Sequence, residues 1–578
     1  MTLTDNFQLL ATSPAGAERL RDLILMLAMQ GKLVPQCSTD EPAERLMKSI
    51  QAEKNASNDA SKISKPSKAI SEEETPFELP NGWTWVRLGD VCSYIQRGKG
   101  PKYAEQSDYP VVSQKCVRWY GLDLAQARFI EPESMEGYDP ARILRPGDIL
   151  WNSTGTGTIG RAVVVPSDLP FSKLVADSHV TVVRPVSVLP NFIWRWIQSP
   201  FVQAEIESMA SGSTNQIELA TGTVIAHLLP LPPLAEQARI VAKVNVLMHL
   251  CDELETRGQL EAKQHARLTT TLFDALARSE SPHALAENWA RVAAHFDLLL
   301  DRPEAVDALE QTILQLAVRG LLVKQEPNDE PAGELLKRIQ VEKNRLIADH
   351  GLRTTAQLEV PEEEKYLGEV PGWQYCRLGN LARFIDYRGR TPQKVEAGIP
   401  LITAKNVRPG FISREPREYI AEKDYSAWMT RGFPRTGDLL FTTEAPLGNI
   451  ALIDITERFA LAQRVICFQL HDLSIGPYLR LAIMSAQVQE QLSAAASGMT
   501  ATGIKASRLK EIPIAIPPLD EQRRIVARVE ELQRVCFDLR ERLIRRQLYQ
   551  TRLAEALVGQ AASTTPLLSP ADDLAAAA

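Results

Sequence analysis

The feature that most constrains this chain is that it is written twice. LPPLAEQARIVAKV, from Leu231 to Val244, returns as IPPLDEQRRIVARV from Ile516 to Val529, identical at ten of fourteen positions across 285 residues. The repetition extends in both directions. FQLL at Phe7 becomes FDLL at Phe296, and LAMQGKLVPQCSTDEPAERLMKSIQAEKN from Leu27 becomes LAVRGLLVKQEPNDEPAGELLKRIQVEKN from Leu316. GWTWVRLGDV (Gly82) becomes GWQYCRLGNL (Gly372), PVVSQKCVR (Pro110) becomes PLITAKNVR (Pro400), and PGDIL (Pro146) becomes TGDLL (Thr436). Order is kept and the period stays near 290 residues, half of the 578. A tandem duplication of this kind predicts two similar bodies, because each copy must solve the same folding problem.

Each half reads in the same order. Ser13-Pro14 and Asp301-Arg302-Pro303 are expected helix starts, since Pro has no amide to leave unsatisfied there, and Gly31 and Gly320 are the stops. A second helix carries AERLMKSIQAEKN or its copy. The Ser/Lys/Glu stretch from Ala56 to Thr75, and its counterpart near Ile347 to Lys365, read as mobile linkers. About 150 residues of short β-branched and aromatic runs follow in each half, punctuated by Gly and Pro and interrupted by helical stretches such as NFIWRWIQSPFVQAEIESMAS. The half closes on a long proline-free helix. In the second copy Ile525, Val529, Leu532, Val535, Leu539, Leu543 and Leu548 recur mostly every three or four positions, as a coiled-coil seam requires.

The predicted layout is a helical segment at 1–55, a linker at 56–76, a globular domain at 77–233 and a central helical region at 234–346. A second linker at 347–366, a second globular domain at 367–518, a long helix at 519–560 and a disordered tail at 561–578 complete it. The class is α/β (mixed α+β).

Bulk properties narrow the function. Seven cysteines without a CxxC pair point to free thiols in a reducing compartment, hence a cytoplasmic chain. The N-terminus lacks the basic and apolar regions of a signal peptide, and no run of 18 apolar residues occurs, so no membrane partner is expected. The net charge of −7 argues, taken alone, against nucleic-acid binding.

The motifs that resemble catalytic ones fail on chemistry. An amino-methyltransferase needs a polar residue before Pro-Pro to hold the exocyclic amine and an aromatic after it to stack on the base. Leu231-Pro232-Pro233-Leu234 and Ile516-Pro517-Pro518-Leu519 are apolar at both positions. They read instead as the end of a strand and the start of the long helix, with Glu236, Asp520 and Glu521 in its positive first turn. Gly155-Thr156-Gly157-Thr158-Ile159-Gly160 fits GxGxxG, but it runs into the strand-like RAVVVP rather than a helix, and its copy EAPLGNIALI keeps only the end of the pattern. A β-hairpin tip is expected. RGKGPK at Arg97 is no Walker loop. Asp177 and His179 become Ala462 and Arg464 in the copy, which excludes a metal or general-base role common to both halves. His179 is expected to be structural or DNA-facing. No catalytic residue and no metal site is predicted.

A duplicated chain whose halves each open on GWxWxRLG and close on PPLxEQxxIVxxV resembles the specificity subunit of type I restriction-modification enzymes. The resemblance runs from about Phe7 to Gly559, and the paired closing motif is its most specific element. It implies two globular target-recognition domains separated by long antiparallel coiled-coil helices. Each domain would read one half of a split site in double-stranded DNA. It also implies two methyltransferase (modification) subunits docked on the helices, two motor-nuclease (restriction) subunits for cleavage, and S-adenosylmethionine, ATP and Mg on those partners rather than on this chain. The helical segment before each domain departs from the simplest family plan. It is expected either to extend the docking surface or to pack within the pseudo-two-fold body.

The two domains differ in charge. Pro80 to Pro230 holds 13 Lys/Arg against 14 Asp/Glu, net −1, whereas Pro371 to Ile516 holds 18 against 13, net +5. The second should contribute more phosphate affinity. Candidate DNA contacts are polar residues that interrupt the repeated framework. In the first domain these are Arg97, Lys99, Lys102, Gln114, Lys115, Arg118, Asn152, Ser153, Thr154, Thr214, Asn215 and Gln216. In the second they are Arg388, Arg390, Lys394, Lys405, Asn406, Arg408, Thr442, Thr443, Glu444, Thr500, Thr502 and Lys505. Each is equally accounted for as solvated surface. Lys115/Lys405 and Arg118/Arg408 stand out because both copies retain them. Two other readings remain: a specificity subunit of a methylation-only or related phage-defence system, and a coiled-coil adaptor that never touches DNA.

Overall fold

The computed structural model describes residues 7–56, 68–155, 157–206, 218–350, 359–387, 392–496 and 503–564. It forms two compact units, residues 1–261 with 547–578 and residues 262–546.

In the first unit a short helix (Phe7–Thr12) and a longer one (Gly16–Met29) open the chain. The second starts at Gly16 rather than at Ser13-Pro14, because the Ser13 hydroxyl and carbonyl are used in the turn. Ser13 Oγ donates to the Leu10 carbonyl at 3.0 Å, and the Gly16 N–H donates to the Ser13 carbonyl at 2.9 Å. Gly31 ends the helix as expected: at φ +67° it lets the Lys32 N–H reach back to the Leu27 carbonyl at 2.8 Å. A Cβ there would lie 2.5 Å from Pro80 and 3.1 Å from Trp83. Leu20 and Leu23 pack on Cys251 of the long helix Leu234–Ala277 and on Ala554 and Val558. Arg21 bridges Asp252 at 2.6 Å and Glu255 at 2.7 Å, and Arg19 reaches Glu555 at 3.1 Å. The N-terminal helices are therefore packed within their own unit.

The globular domain is closed at its base by its own ends. The opening strand Thr84–Arg87 pairs antiparallel with the closing strand Leu228–Leu231, Thr84 facing Leu231. Immediately before and after that pair lie the two most repeated motifs, and they meet. The Trp83 indole N–H donates to Glu236 Oε2 at 3.0 Å. Gln237 donates to the Pro232 carbonyl at 3.0 Å and accepts from the Leu189 amide at 3.0 Å, fastening the start of the long helix to the domain. Glu236 is thus more than a charge in a helix's first turn: it is 2% exposed, and burial pushes its carboxyl up against the opposing pull of Trp83. Above the base stand two four-stranded sheets. The central one runs Cys92–Arg97, Val180–Pro185, Ile149–Asn152, Ala162–Val164, all antiparallel. The outer one runs Val175–Ala176, Pro110–Val112, Arg128–Ile130, Tyr103–Ala104. The GxGxxG stretch, whose Thr156 lies outside the described residues, falls between the antiparallel strands Ile149–Asn152 and Ala162–Val164, the position of a hairpin tip. The helix expected through NFIWRWIQSPFVQ is broken at Ser199-Pro200 into Pro190–Gln198 and Pro200–Gln203.

The second unit repeats this plan. Its helix Pro303–Val318 ends before Gly320 (φ +70°), and its opening strand Gln374–Arg377 pairs with Pro513–Ile516. Trp373 donates to Glu521 at 3.0 Å, and Gln522 to the Pro517 carbonyl at 2.9 Å. The central sheet runs Ala382–Asp386, Val465–Leu470, Leu439–Thr443, Leu447–Leu452, and the outer one Lys394–Val395, Tyr419–Ile420, Ile399–Ile402, Ala460–Leu461. Both orders are those of the first domain. In the second unit, helices Pro282–Ala293 and Phe296–Leu299 cover Phe273 and Leu276.

Three expectations need correction. In the last helix, Leu519–Thr564, Val535 is 60% and Leu548 46% exposed; the seam runs through Cys536, 2% exposed, instead. Ile525, Val529, Leu532, Cys536, Leu539 and Leu543 keep a regular four-three spacing that Val535 breaks, and Arg540 reaches Asp307 at 2.5 Å and Glu310 at 3.1 Å. Helical residues 347–350 lie inside the stretch expected to be linker, as does Ala56 in the first copy, and 561–564 continue the helix into the expected tail. The ends of both linkers are pinned: the turns Glu72–Glu74 and Glu362–Glu364 are held by Arg87 to Glu74 at 2.8 Å and by an Arg377–Glu364 ion pair. The remainder, 57–67, 351–358 and 565–578, lies outside the described residues. Among the described residues all seven cysteines are free, Cys37 alone being exposed, and no helix is long and apolar enough to cross a membrane.

Candidate nucleic-acid interface

The central sheet of the first domain sends three chain ends to one edge. Arg97 pairs with Thr181, and Asn152 with Val180, so the turns after Arg97, after Asn152 and before Val180 emerge side by side. Arg97 forms an ion pair with Glu218, which is itself bridged to Thr154. Thr154 Oγ1 lies 2.7 Å from His179 Nδ1, and the His179 amide donates to Asp177 at 2.8 Å. Gln114 accepts from Thr158 Oγ1 at 3.2 Å, which joins the turn after Pro110–Val112 to the same rim. Beside it a small hairpin pairs Val117–Arg118 with Gly121–Leu122 and holds Tyr120, 82% exposed, at its tip. Lys99 and Lys102 are exposed on the adjoining loop, with the Lys99 ammonium 5.3 Å from the Tyr138 ring centroid. Lys115 is exposed too. Arg118 is half-buried, and its Nε has no partner among the described residues.

The second domain builds the same edge from other residues. Thr442 pairs with Val465, and the turn before Val465 carries Arg464. Arg464 Nε is 2.6 Å from Glu444 Oε1, and Glu444 is bridged to Gly503. The hairpin recurs as Val407–Arg408 with Phe411–Ile412, Phe411 being 60% exposed. Lys405, Arg408 and Lys505 are exposed with no ion pair among the described residues, whereas Lys394 is held by Glu418 at 2.8 Å.

Five candidates are corrected. Asn152 and Ser153 are 0% exposed, Asn406 2%, Thr442 0% and Thr443 2%, so none offers its side chain to a ligand at the rim. Their polar groups face inside, where most find a partner, Asn152 Oδ1 having none among the described residues. Asn152 donates to the Gln114 and Thr158 carbonyls at 3.1 and 3.2 Å, and Ser153 shares a hydrogen with Thr181 at 2.5 Å. Asn406 donates to the Ser413 and Pro416 carbonyls at 3.1 and 3.0 Å, and its Oδ1 accepts from Thr403. Thr442 Oγ1 accepts from the Asn449 amide at 3.0 Å, and Thr443 Oγ1 donates to the Arg464 carbonyl at 3.3 Å. These residues shape the rim from below. Thr214, Asn215, Gln216, Arg388, Arg390, Thr500 and Thr502 lie outside the described residues.

Sequence reasoning missed Arg464, Tyr120 and Phe411 as rim residues. Tyr120 stands two residues after Arg118 and Phe411 three after Arg408, an aromatic close behind each twice-retained arginine. The contrast between Arg464 and His179 speaks in sequence only to a metal or general-base role common to both halves. Among the described residues no group of three His, Cys, Asp or Glu side chains is placed to hold a metal ion.

Two like-built domains with unlike polar rims define a tandem recognition protein. The family model for the type I restriction modification DNA specificity domain matches residues 80–264 and 372–547. The chain belongs to the type I restriction-modification specificity-subunit family. It is 33% identical over 570 residues to the Type I restriction enzyme EcoEI specificity subunit of Escherichia coli, with 94% of each chain covered. The EcoAI specificity subunit of the same organism is 32% identical over 564 residues, again with 94% of each chain covered. A chain solved in work on complex assembly and conformational transition of the type I R-M system matches with a TM-score of 0.48 at 20% identity, over 85% of this chain and 100% of that one.

Proposed function

We propose that this chain is the non-catalytic DNA-specificity subunit of a type I restriction-modification assembly. Each globular domain reads one half of a bipartite, asymmetric site in double-stranded DNA, and the long helices set the length of the unspecified spacer. The observation that carries the reading is the pair of rims: same topology, same edge, different side chains. A true dimer would be confined to palindromes, whereas a chain with two diverged domains reads two different half-sites. Two modification subunits bring S-adenosylmethionine, two restriction subunits bring ATP, Mg and nuclease activity, and this chain brings neither cofactor.

At the rims, Lys99, Lys102, Lys115 and Arg118, and Lys394, Lys405, Arg408 and Lys505, are the cations suited to phosphate or base edges. Gln114 and Thr154 are suited to base edges. Arg408, exposed and unpaired among the described residues, is best placed for phosphate. Arg408→Ala should weaken binding uniformly across sequences and reduce the slope of log affinity against log salt by about one. An unchanged curve across salt excludes the contact. The reading as a whole is tested by co-expressing the chain with its modification subunit in a host free of DNA methylation and mapping modified bases by single-molecule sequencing. A two-part asymmetric motif that disappears without this chain is the expected result. No modification beside an active modification subunit would overturn the reading.

A further inference from the structure

We infer that Arg464 is a base-reading residue of the second domain, directed at a guanine, and that Glu444 and Thr443 are its positioning residues. The inference rests on the DNA-specificity reading above and deepens it.

Arg464 is held in an unusual backbone state. Its φ is +75°, in the left-handed region that non-glycine residues rarely occupy and that concentrates at functional sites. Thr443 clamps it there: the Thr443 amide donates to the Arg464 carbonyl at 2.9 Å and the Thr443 hydroxyl to the same oxygen at 3.3 Å. Thr443 is 2% exposed and its own carbonyl accepts from the Ile504 amide at 3.0 Å, so the clamp is anchored in the core. The side chain that this backbone aims outward is not buried. Arg464 is 49% exposed, and its Nε meets Glu444 Oε1 at 2.6 Å, with Glu444 31% exposed. Among the described residues no bond engages either Nη. A guanidinium steered by a carboxylate and still presenting its outer nitrogens is the geometry that meets guanine O6 and N7 with two donors. Glu444 also offsets the charge, which weakens attraction to arbitrary phosphates and leaves discrimination to the base edge. The corresponding place in the first domain is His179 on Thr154, a smaller and differently charged group, so the two half-sites should differ in chemistry at equivalent positions.

The test uses the full chain with its modification subunit. In the methylome, Arg464→Ala and Arg464→Gln should relax one guanine-containing base pair in one half of the motif and leave the other half intact. Discrimination at that pair should fall roughly 5- to 150-fold in binding to matched and mismatched duplexes, with the salt slope kept. Glu444→Gln should relax the same pair less and raise affinity for non-target DNA. An unchanged motif, or uniform weakening with the slope reduced by about one, would make Arg464 surface or a phosphate contact and overturn the inference. So would loss of all modification by both variants at the wild-type melting temperature. Failure of the wild-type complex to give any bipartite motif would instead sink the underlying functional reading.

Discussion

At the base of the first domain Trp83 donates to Glu236 at 3.0 Å, and at the base of the second Trp373 donates to Glu521 at 3.0 Å. Arg239 reaches Asp40 at 2.5 Å in one copy, and Arg524 reaches Asp329 at 2.6 Å in the other. At the rims the same fold places Thr154 beside His179 in one copy and Glu444 beside Arg464 in the other. The base tolerates little change because its carboxylates and glutamines, Glu236, Gln237, Glu521 and Gln522, are at most 2% exposed, so losing the partner of one of them strands a buried polar atom. The rim tolerates exchange because its residues act in pairs at half exposure, and either a neutral or an ionic pair can fill the site. Divergence is therefore free where function needs it and blocked where folding needs constancy.

The largest effect should come from breaking the constant part. Trp83→Ala and Trp373→Ala should each destabilise their own unit by about 3–5 kcal/mol, and Trp→Phe, which removes the N–H and one of the two fused rings, by about 1–3 kcal/mol. Hydrogen exchange resolved by unit measures this, because local opening reports each body separately. Matching losses in the two units are expected; a loss in one alone would show that the repeated geometry hides unequal energetics. The carboxylates add a sign. Burial raises the folded pKa of Glu236 and of Glu521, the Trp bond opposing it. Each therefore contributes stability that is full below the ordinary carboxylate range and is lost as pH rises through the raised value. Glu236→Gln and Glu521→Gln should flatten that limb.

A mid-sized effect separates the two domains. Burial lowers His227 from the ordinary 6.5 to about 4, with Trp196 Nε1 donating to its Nε2 at 3.1 Å. His471 is also lowered to about 4, by burial first and then by Lys343 and Arg435. A depressed histidine stabilises the fold above its unfolded pKa, and that stability drains as pH falls from 6.5 toward 4. For His227 the drain is about 3 kcal/mol. The first domain's acid loss should be insensitive to salt, because no charge drives it, while salt should lessen the second domain's. His227→Gln should abolish the first, since the Trp196 N–H keeps the Leu228 carbonyl at 2.7 Å. An acid limb that persists in the first unit's exchange would mean another group titrates there.

Much of the constant part was legible in the sequence and little of the rim was. Repetition marked Trp83, Glu236, Gln237 and their copies, and the helix stops at Gly31 and Gly320 follow from residue chemistry alone. Polarity could not separate Asn152, Ser153, Asn406, Thr442 and Thr443 from true surface, because polar side chains at strand ends satisfy turn carbonyls as readily as solvent does. Val535 is apolar but lies off the spacing kept by Val529, Leu532 and Leu539, and Cys536 takes the seam position beside it. Arg464 could not be found from its neighbours in sequence, since its role depends on a left-handed φ and on Glu444, twenty residues away in the chain.

The smallest expected change in stability tests the rim's freedom most directly. Exchanging the pair, Thr154→Glu with His179→Arg, rebuilds the second domain's ion pair on the first domain's edge. The site is partly exposed, and only the Thr154–His179 contact at 2.7 Å is given up for an ionic one. The stability cost should stay within about 0.5 kcal/mol, as for surface substitutions generally. Recognition should nevertheless change, with new bases modified in one half-site and the other half untouched. Each single variant is the informative control. Thr154→Glu alone adds a carboxylate beside Glu218 and repels phosphate, so it should weaken binding. His179→Arg alone adds a cation facing Asp177 and should strengthen binding without a change of motif. If the double variant keeps the original motif, the rim pairs do not read bases and the divergence between the two domains is neutral drift. If instead it unfolds the first unit, the pair belongs to the constant part, and the boundary between frame and rim lies further out than the side-chain exposures place it.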